Sequence, residues 1–259
     1  MQRLNPTWGI IGVGQLGASI AEGIYRAQAP FDLLLSPRSE ARVRELSERF
    51  PARVGGDNQE VVDRADHVIL AARPDQLIEV AGALRFRSGQ IVVSVAAALE
   101  RSSVQKAVGP ARAVRAMPVL SATVGDSPTC IHPADVTAVG FFEHLGPIHI
   151  IDDEDTFAVA AVAASYYVWV YSLMETSAAW LHDNGVDLET GRALAAQMTR
   201  AAASRCLDIG TDMGALAEEI ARPDTFTRVG MDRLRESDAL HAWRDACQFV
   251  LDAKHARGR

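Results

Sequence analysis

Basic side chains, cysteines and long apolar runs are all scarce in this sequence of 259 residues. Lys and Arg number 26 against 33 Asp and Glu, so the net charge is −7 and no basic stripe for nucleic acid is expected. The three cysteines are too few for a disulfide framework and lack metal-site spacing, which favours a reduced, cytoplasmic compartment. No apolar run approaches the ~20 residues that span a bilayer, and no apolar leader is visible, so neither a membrane span nor secretion is expected.

Proline and glycine are concentrated in the first part of the chain. Ten of the eleven prolines lie at or before Pro147, and thirteen of the nineteen glycines lie at or before Gly146. Because these residues punctuate strands and turns, residues 1–151 are expected to form many short elements and residues 152–259 a few long ones. The sequence therefore predicts two domains with these bounds, the second entirely helical.

Short apolar runs alternate with stretches of helical periodicity in the first domain. The runs are apolar throughout, which is typical of parallel strands covered by helices on both faces. This alternation predicts βαβ units and a doubly wound parallel sheet, closed by a late strand–helix–strand at about residues 129–151. The predicted strands are Trp8–Ile11, Phe31–Leu35, Val68–Ala72, Ile91–Val95 and Ala113–Ala116, and the predicted helices are Leu16–Gln28, Glu40–Phe50, Asp75–Leu84 and Ser102–Val108.

The second domain opens with the acidic segment 152–155, which is favourable at a helix N-terminus. No proline or glycine follows until Gly185, which predicts one helix of about thirty residues, ~45 Å long. Its middle, Tyr166–Leu173, is apolar on nearly every side, and such a helix is buried on every side. We therefore expect a second copy of the chain to complete this core, as a homodimer. Further helices are predicted at about 188–208, 214–221, 226–236 and 239–255.

A glycine-rich turn with the sequence Gly12-Val13-Gly14-Gln15-Leu16-Gly17 directly follows the first strand and opens the first helix. In that position the pattern G-x-G-x-x-G predicts a dinucleotide site of the Rossmann type. Gly12 permits the tight turn, Gly14 lets the backbone approach a pyrophosphate, and Gly17 lets helix and strand pack closely. The alternative interpretation is a glycine-rich turn without a ligand.

The end of the second strand indicates which dinucleotide is bound. NAD sites usually place an acidic residue there for the ribose 2′-hydroxyl, but this chain has Ser36-Pro37-Arg38. A serine hydroxyl and an arginine fork suit a 2′-phosphate, which a carboxylate would repel. We therefore predict NADP(H). The alternative is that Arg38 is a solvated loop residue and that the site does not distinguish NADP(H) from NAD(H).

The first 150 residues resemble the pyrroline-5-carboxylate reductases, which reduce a cyclic imine to proline with NAD(P)H. Five blocks in the family's order carry the resemblance: Gly9–Gly17, Asp57–Val62, Ala65–Pro74, Val93–Ala97 and Val114–Pro118. The helical half is also similar in layout, which implies an interlocked dimer whose active site uses residues of both subunits. The cofactor-binding residues predicted from the turn, the second strand and the resemblance are Gly12, Gly14, Gln15, Leu16, Gly17, Ser36, Arg38, Asn58, Ala72, Arg73, Pro74, Ala97 and Met117.

The family's substrate motifs are altered in this chain. Its stretch A-L-S-G-S-G-P-A-Y, which presents the substrate carboxylate, aligns with Ala161–Trp169, where Ser165 remains and two tyrosines follow it. Its S-P-G-G-T-T aligns with Arg222–Thr227 and keeps only Pro223 and Thr227. Because bulky side chains would fill an amide-lined cradle, we expect the substrate to be an imine other than pyrroline-5-carboxylate.

Hydride transfer to a C=N carbon needs a proton source or a group that stabilises an iminium. Tyr167, Tyr171 and Glu175 recur at every fourth position, on one face of the long helix. The competing interpretation is core or dimer packing for the tyrosines and an arginine partner for Glu175. The predicted catalytic residues, including those carried over from the family alignment, are Ser165, Tyr167, Tyr171, Glu175 and Thr227.

Two other functions compete with imine reduction. A 3-hydroxyacid-type dehydrogenase would need a lysine on the long helix, but the only lysines are Lys106 and Lys254. A non-catalytic, NADP-binding dimeric paralogue with a scaffolding or sensing role would explain the altered substrate motifs. The retained block around Met117, beside the expected nicotinamide position, argues against it. No histidine pairs with other ligands at metal spacing, so no metal is predicted.

Overall fold

The computed structural model describes residues 5–207 and 210–257, which cluster into two compact units. The first unit runs to Ala164 and also includes the segment from Ala253 onward, while the second is Ser165–Asp252. The first is a doubly wound α/β unit and the second is helical throughout its described part. The predicted fold class is confirmed.

The first unit is built on one eight-stranded sheet with the strand order β3-β2-β1-β4-β5-β6-β7-β8. The first six strands are parallel, β7 runs antiparallel to β6, and β8 is parallel to β7. The chain fills one side of β1 before crossing to β4 on the other, and that reversal of winding is where α/β proteins place ligands. The strands are β1 Thr7–Ile11, β2 Asp32–Leu35, β3 Arg53–Val54, β4 His67–Leu70, β5 Ile91–Ser94, β6 Arg112–Met117, β7 Thr129–His132 and β8 Ile148–Ile150.

Helices cover both faces of this sheet, and several helix starts have a recognisable local cause. Asp57 accepts a hydrogen bond from the Glu60 N–H, Asp135 caps the helix before β8, and Pro74 occupies the first turn of its helix. The helices of the first unit are α1 Gln15–Arg26, α2 Glu40–Arg49, α3 Asn58–Arg64, α4 Pro74–Gly82, α5 Arg101–Val108, α6 Val136–Phe142 and α7 Glu154–Ala160.

Two apolar clusters, one on each face of the sheet, form the core of the first unit. One gathers Trp8, Ile20 and Phe141 with their neighbours, and the other gathers Val61 and Leu77 with theirs. A smaller third cluster joins Met117 to Phe157 and Ala161. Burial of side chains on both faces explains why the strands are apolar throughout.

The predicted thirty-residue helix is wrong as one continuous element. Residues 161–162 form a turn that separates α7 from α8, Ala163–Asp183. Ala161 packs with Met117 and Phe157, so a tertiary contact interrupts a stretch that contains no glycine or proline. The remaining helices are α9 Leu188–Cys206, α10 Met213–Ile220, α11 Phe226–Glu236 and α12 Ala239–Arg257.

The second unit buries very little of its own surface. Within its described residues only small ones are classed as buried, namely Ala178, Gly191 and Ala221. Large apolar side chains such as Trp180, Met198 and Phe226 are exposed, Phe226 by 97%. A helical body without a buried large side chain lacks the apolar burial that stabilises a domain.

The segment Glu154–Asp183 is long and apolar enough to cross a membrane, as judged by length and composition alone. The turn at 161–162 divides it, and apolar side chains of its second part, such as Val168 and Trp180, are exposed. The expectation that the protein does not contact a membrane stays a prediction.

Candidate active site

The glycine-rich turn after β1 has the geometry that the sequence predicts. Gly12 has a positive φ of +93°, and a Cβ there would lie 2.7 Å from the Ala72 backbone nitrogen. A Cβ on Gly17 would lie 2.4 Å from the Gly12 carbonyl oxygen. At Gly14, by contrast, a Cβ would meet nothing within 4 Å. Two glycines are therefore required by close packing, whereas the third leaves open space above the backbone.

The N-terminus of α1 faces that open space without a capping side chain. Gly14 is the N-cap residue, and the first turn, with Gln15 and Leu16, contains no acidic residue. The first backbone N–H groups of a helix lack intrahelical partners and carry the positive end of its dipole. The turn is thus suited to hold a pyrophosphate.

The other predicted cofactor residues gather at the same edge of the sheet. Strands β1, β2, β4, β5 and β6 are parallel, so their carboxyl ends point the same way. Met117 ends β6, and it packs beside Ala97, which follows β5. The topology brings together the residues Gly12, Gly14, Ser36, Arg38, Ala72, Arg73, Pro74, Ala97 and Met117.

Ser36 and Arg38 differ sharply in their surroundings. Ser36 is buried, and its Oγ accepts a hydrogen bond of 3.0 Å from the Gly12 N–H. The serine therefore ties the end of β2 to the glycine turn, and its predicted contact with a 2′-phosphate stays a prediction. Arg38 is exposed in the turn after β2, and in residues 5–207 and 210–257 no carboxylate forms an ion pair with it.

Asn58, Arg73 and Pro74 lie at the starts of two helices. Asn58 is the first residue of α3 and is partly buried. Pro74 is the first residue of α4, and the exposed Arg73 before it pairs with Asp75 at 3.1 Å. The backbone of Ala72 lies close to Gly12, where a Cβ would clash with it. A contact between Arg73 and a ligand would compete with this exposed ion pair, which is a weak interaction.

A charged cluster around Arg115, two residues before Met117 in β6, was not expected from the sequence. Arg115 is 3% exposed and forms an ion pair with Glu154 at the start of α7. Its guanidinium also lies 4.3 Å from the centre of the Phe157 ring. Glu154 is further approached by His132 Nε2, at 3.2 Å. The sequence feature that could have revealed this cluster is Arg115, which lies between apolar residues in β6.

The predicted catalytic residues all lie in the second unit. Tyr167 and Tyr171 are hydrogen-bonded through their hydroxyls, an interaction that together with burial raises the pKa of Tyr171 to about 12. Among the described residues Glu175 makes an ion pair rather than a hydrogen bond to either tyrosine, and its carboxylate lies 3.6 Å from Arg192 of α9. This is the arginine partner of the competing interpretation, although Glu175 is exposed rather than buried.

Ser165 and Thr227 are the catalytic candidates that the family alignment supplies. Ser165 lies in the first turn of α8 and is partly buried. Thr227 is exposed in the first turn of α11, whose N-cap is Thr225. The catalytic roles of these five residues stay predictions. In the described part of the chain no group of His, Cys, Asp or Glu could hold a metal ion.

Known proteins match both halves of the chain. The family described as NADP oxidoreductase, coenzyme F420-dependent, matches residues 7–98, and the family described as pyrroline-5-carboxylate reductase dimerisation matches residues 153–256. The pyrroline-5-carboxylate reductase of Methanosarcina acetivorans is 27% identical over 254 residues, which cover 93% of this chain and 94% of the relative. The chain is therefore similar to the pyrroline-5-carboxylate reductases along nearly its whole length.

Solved structures of this family and of imine reductases share the fold. The pyrroline carboxylate reductase of Plasmodium falciparum, solved with NADP bound, gives a TM-score of 0.88 at 20% identity and covers 99% of both chains. An imine reductase from Streptomyces aurantiacus gives a TM-score of 0.56 at 17% identity and covers 96% of this chain and 93% of that one. At these identities the likeness concerns the fold.

Proposed function

We propose that this protein is an NADPH-dependent reductase of carbon–nitrogen double bonds. The observation that carries the proposal is the open space above Gly14, at the unblocked N-terminus of α1 and on the sheet edge where Met117 lies. The similarity to the pyrroline-5-carboxylate reductases supports it, as does the shared fold of a relative with NADP bound and of an imine reductase.

The chain's own residues would bind and orient the cofactor, which supplies a hydride from its nicotinamide ring. The amides at the start of α1 would hold the pyrophosphate, and Arg38 would pair with the 2′-phosphate. Met117, backed by Phe157, would support the nicotinamide end from the sheet. The hydroxyls of the Tyr167–Tyr171 pair and of Thr227 are our candidates for donating a proton to the substrate nitrogen.

We infer that the substrate is an imine other than pyrroline-5-carboxylate. The stretch that presents the substrate carboxylate in the family, Ala161–Trp169, is here helical from Ala163 onward. Its tyrosine Tyr166 packs edge-on against Trp243, with ring centres 5.7 Å apart. The backbone amides from Tyr167 onward lie beyond the first turn of α8, where helical hydrogen bonds occupy them, so they are not free to receive an anion.

The test of this function is NADPH oxidation with a panel of cyclic and acyclic imines that includes pyrroline-5-carboxylate. We expect turnover of at least one imine and the weakest activity with pyrroline-5-carboxylate. Tight NADPH binding without turnover of any imine would instead favour the non-catalytic, sensing paralogue. Absence of NADPH binding would contradict both.

Replacing Arg38 with alanine is expected to weaken NADPH binding by about 10- to 100-fold, the loss of a charge-assisted hydrogen bond. NADH binding should stay unchanged, because NADH has no 2′-phosphate. The measurement is fluorescence titration of both cofactors. Arg44→Ala on the exposed face of α2 is the matched control and should leave both affinities unchanged. Equal losses of affinity for NADH and NADPH would contradict a contact between Arg38 and the 2′-phosphate.

We also propose that the second unit pairs with that of another copy. The support is its exposed apolar surface and the match to the family's dimerisation domain. Val168→Asp, at a valine of α8 that is 55% exposed, should raise the dimer dissociation constant by more than about 30-fold, since burying a charge costs several kcal/mol. Val136→Asp, at an 88% exposed valine of α6, is the control. Sedimentation of the wild type as a monomer would contradict the proposal.

A further inference from the structure

Two cations line a small cavity beside the first unit's sheet, which Ala97 of the cofactor edge also lines. Arg115 of β6 and Lys254 near the end of α12 both contribute to a cavity of about 200 Å³. Lys254 Nζ is buried, although the residue lies near the end of the described chain.

Each of the two cations has a polar atom without a partner. In the described part of the chain, neither Arg115 Nε nor Lys254 Nζ makes a hydrogen bond, although both atoms are buried. Burial lowers the pKa of Lys254, and the nearby Arg115 charge lowers it further. Two unpaired buried donors of like charge are costly unless an anion joins them.

The carboxylate closest to these cations is already engaged. Glu154 pairs with Arg115 and His132, and its Oε1 also accepts from the Arg101 N–H at 3.2 Å. Glu100 and Asp155 line the cavity too, but both are exposed. Their charges are therefore solvated and screened, and they leave the inner donors uncompensated.

We propose that this cavity binds a small anion carrying a carboxylate or phosphate group, which accepts hydrogen bonds from Lys254 Nζ and Arg115 Nε. A cavity of about 200 Å³ has room for an anion of a few heavy atoms. A charge-assisted bond to an arginine and a lysine is the recognition that carboxylates and phosphates receive in proteins. The proposal goes beyond the reductase function, since it requires neither cofactor nor turnover.

The scarcity of lysine makes a direct test possible. Biosynthetic incorporation of ¹³C-lysine labels Lys106 and Lys254 alone and needs no access to their amines, and Lys254→Gln assigns the two NMR signals. Inorganic phosphate and succinate are titrated to about 10 mM, a range that detects millimolar dissociation constants. We expect the Lys254 signal to shift with saturation and the Lys106 signal to stay. Chloride at matched ionic strength should move neither, and an unmoved Lys254 signal with both probes would overturn the proposal.

Calorimetry on unlabelled variants gives a second, independent measurement. Lys254→Gln should weaken binding of phosphate or succinate at least about 10-fold, equivalent to about 1.4 kcal/mol. Lys106→Gln is the matched control and should bind like the wild type. Unchanged affinity in a folded Lys254→Gln variant would overturn the proposal, and the wild-type titration stays decisive if that variant does not fold.

The anion could be part of the substrate or a separate ligand, and kinetics distinguish the two. Saturating phosphate should raise KM only for a carboxylate-bearing imine if the cavity holds the substrate's own carboxylate. Unchanged KM for charged and uncharged imines alike would indicate a separate ligand. If no imine is reduced, the proposed reductase function is wrong, but the NMR titration and the calorimetry still test the anion site.

Discussion

Gly14→Leu is expected to abolish NADPH binding while leaving the fold as stable as the wild type. A Cβ at Gly14 meets nothing within 4 Å, so the larger side chain costs the folded protein little. The same side chain would fill the space that the cofactor's pyrophosphate needs, above the first amides of α1. We expect a loss of affinity of at least about 100-fold, or about 2.7 kcal/mol. Fluorescence titration measures the affinity, and thermal unfolding measures the stability.

Two other glycines provide the controls for this prediction. Gly12→Ala should destabilise the fold by at least about 2 kcal/mol, from backbone strain at positive φ and a clash with Ala72. Gly140→Leu, at an uncrowded position of α6, should affect neither property. If Gly14→Leu binds NADPH normally, the turn does not hold the cofactor and the proposed enzyme function is wrong.

Glu154→Ala is expected to lower the free energy of unfolding by about 3 kcal/mol, because it leaves the buried Arg115 guanidinium without its counter-ion. The Arg101 N–H and His132 lose a partner in the same change. Since Glu154 is about one-third exposed, we place the effect at the lower end of the range for buried pairs. Urea unfolding followed by circular dichroism measures it.

Two further variants show whether the loss of stability in Glu154→Ala comes from the lost charge of Glu154. Asp155→Ala removes the exposed acid next in sequence and should change the stability by less than about 0.5 kcal/mol. Glu154→Gln keeps an acceptor for Arg115 without the charge, so its stability should lie between those of the wild type and Glu154→Ala. Equal stability of all three variants and the wild type would show that the ion pair contributes nothing.

The strands of the first unit could be predicted nearly to the residue because their causes are local. The predicted strand Ile91–Val95 differs from β5 by one residue, and Trp8–Ile11 differs from β1 by one residue. The short strand β3 and the helix α3 were missed. Strand β3 has two exposed residues and therefore no apolar run. The start of α3 was readable, because Asp57 is a favourable N-cap residue and accepts from the Glu60 N–H, while Glu60 accepts from the Gly56 N–H.

The nucleotide turn was predictable and the charged cluster was not, for the same physical reason. The three glycines act within six consecutive residues, so their spacing is visible in the sequence. Arg115 meets Glu154 across 39 residues, and Lys254 reaches the same cavity from the end of the chain. The break between α7 and α8 is also tertiary, since Ala161 is held by Met117 and Phe157.

If the second unit pairs with that of another copy, as proposed above, the near absence of buried side chains among its described residues couples folding to protein concentration. When one copy supplies the apolar surface that covers another, the unfolded state is favoured by dilution. The midpoint of thermal denaturation should therefore rise as the sample is concentrated. Substitutions far from the nucleotide turn, on the outer faces of α8 to α11, would then reduce the amount of intact protein in the cell rather than its catalytic rate.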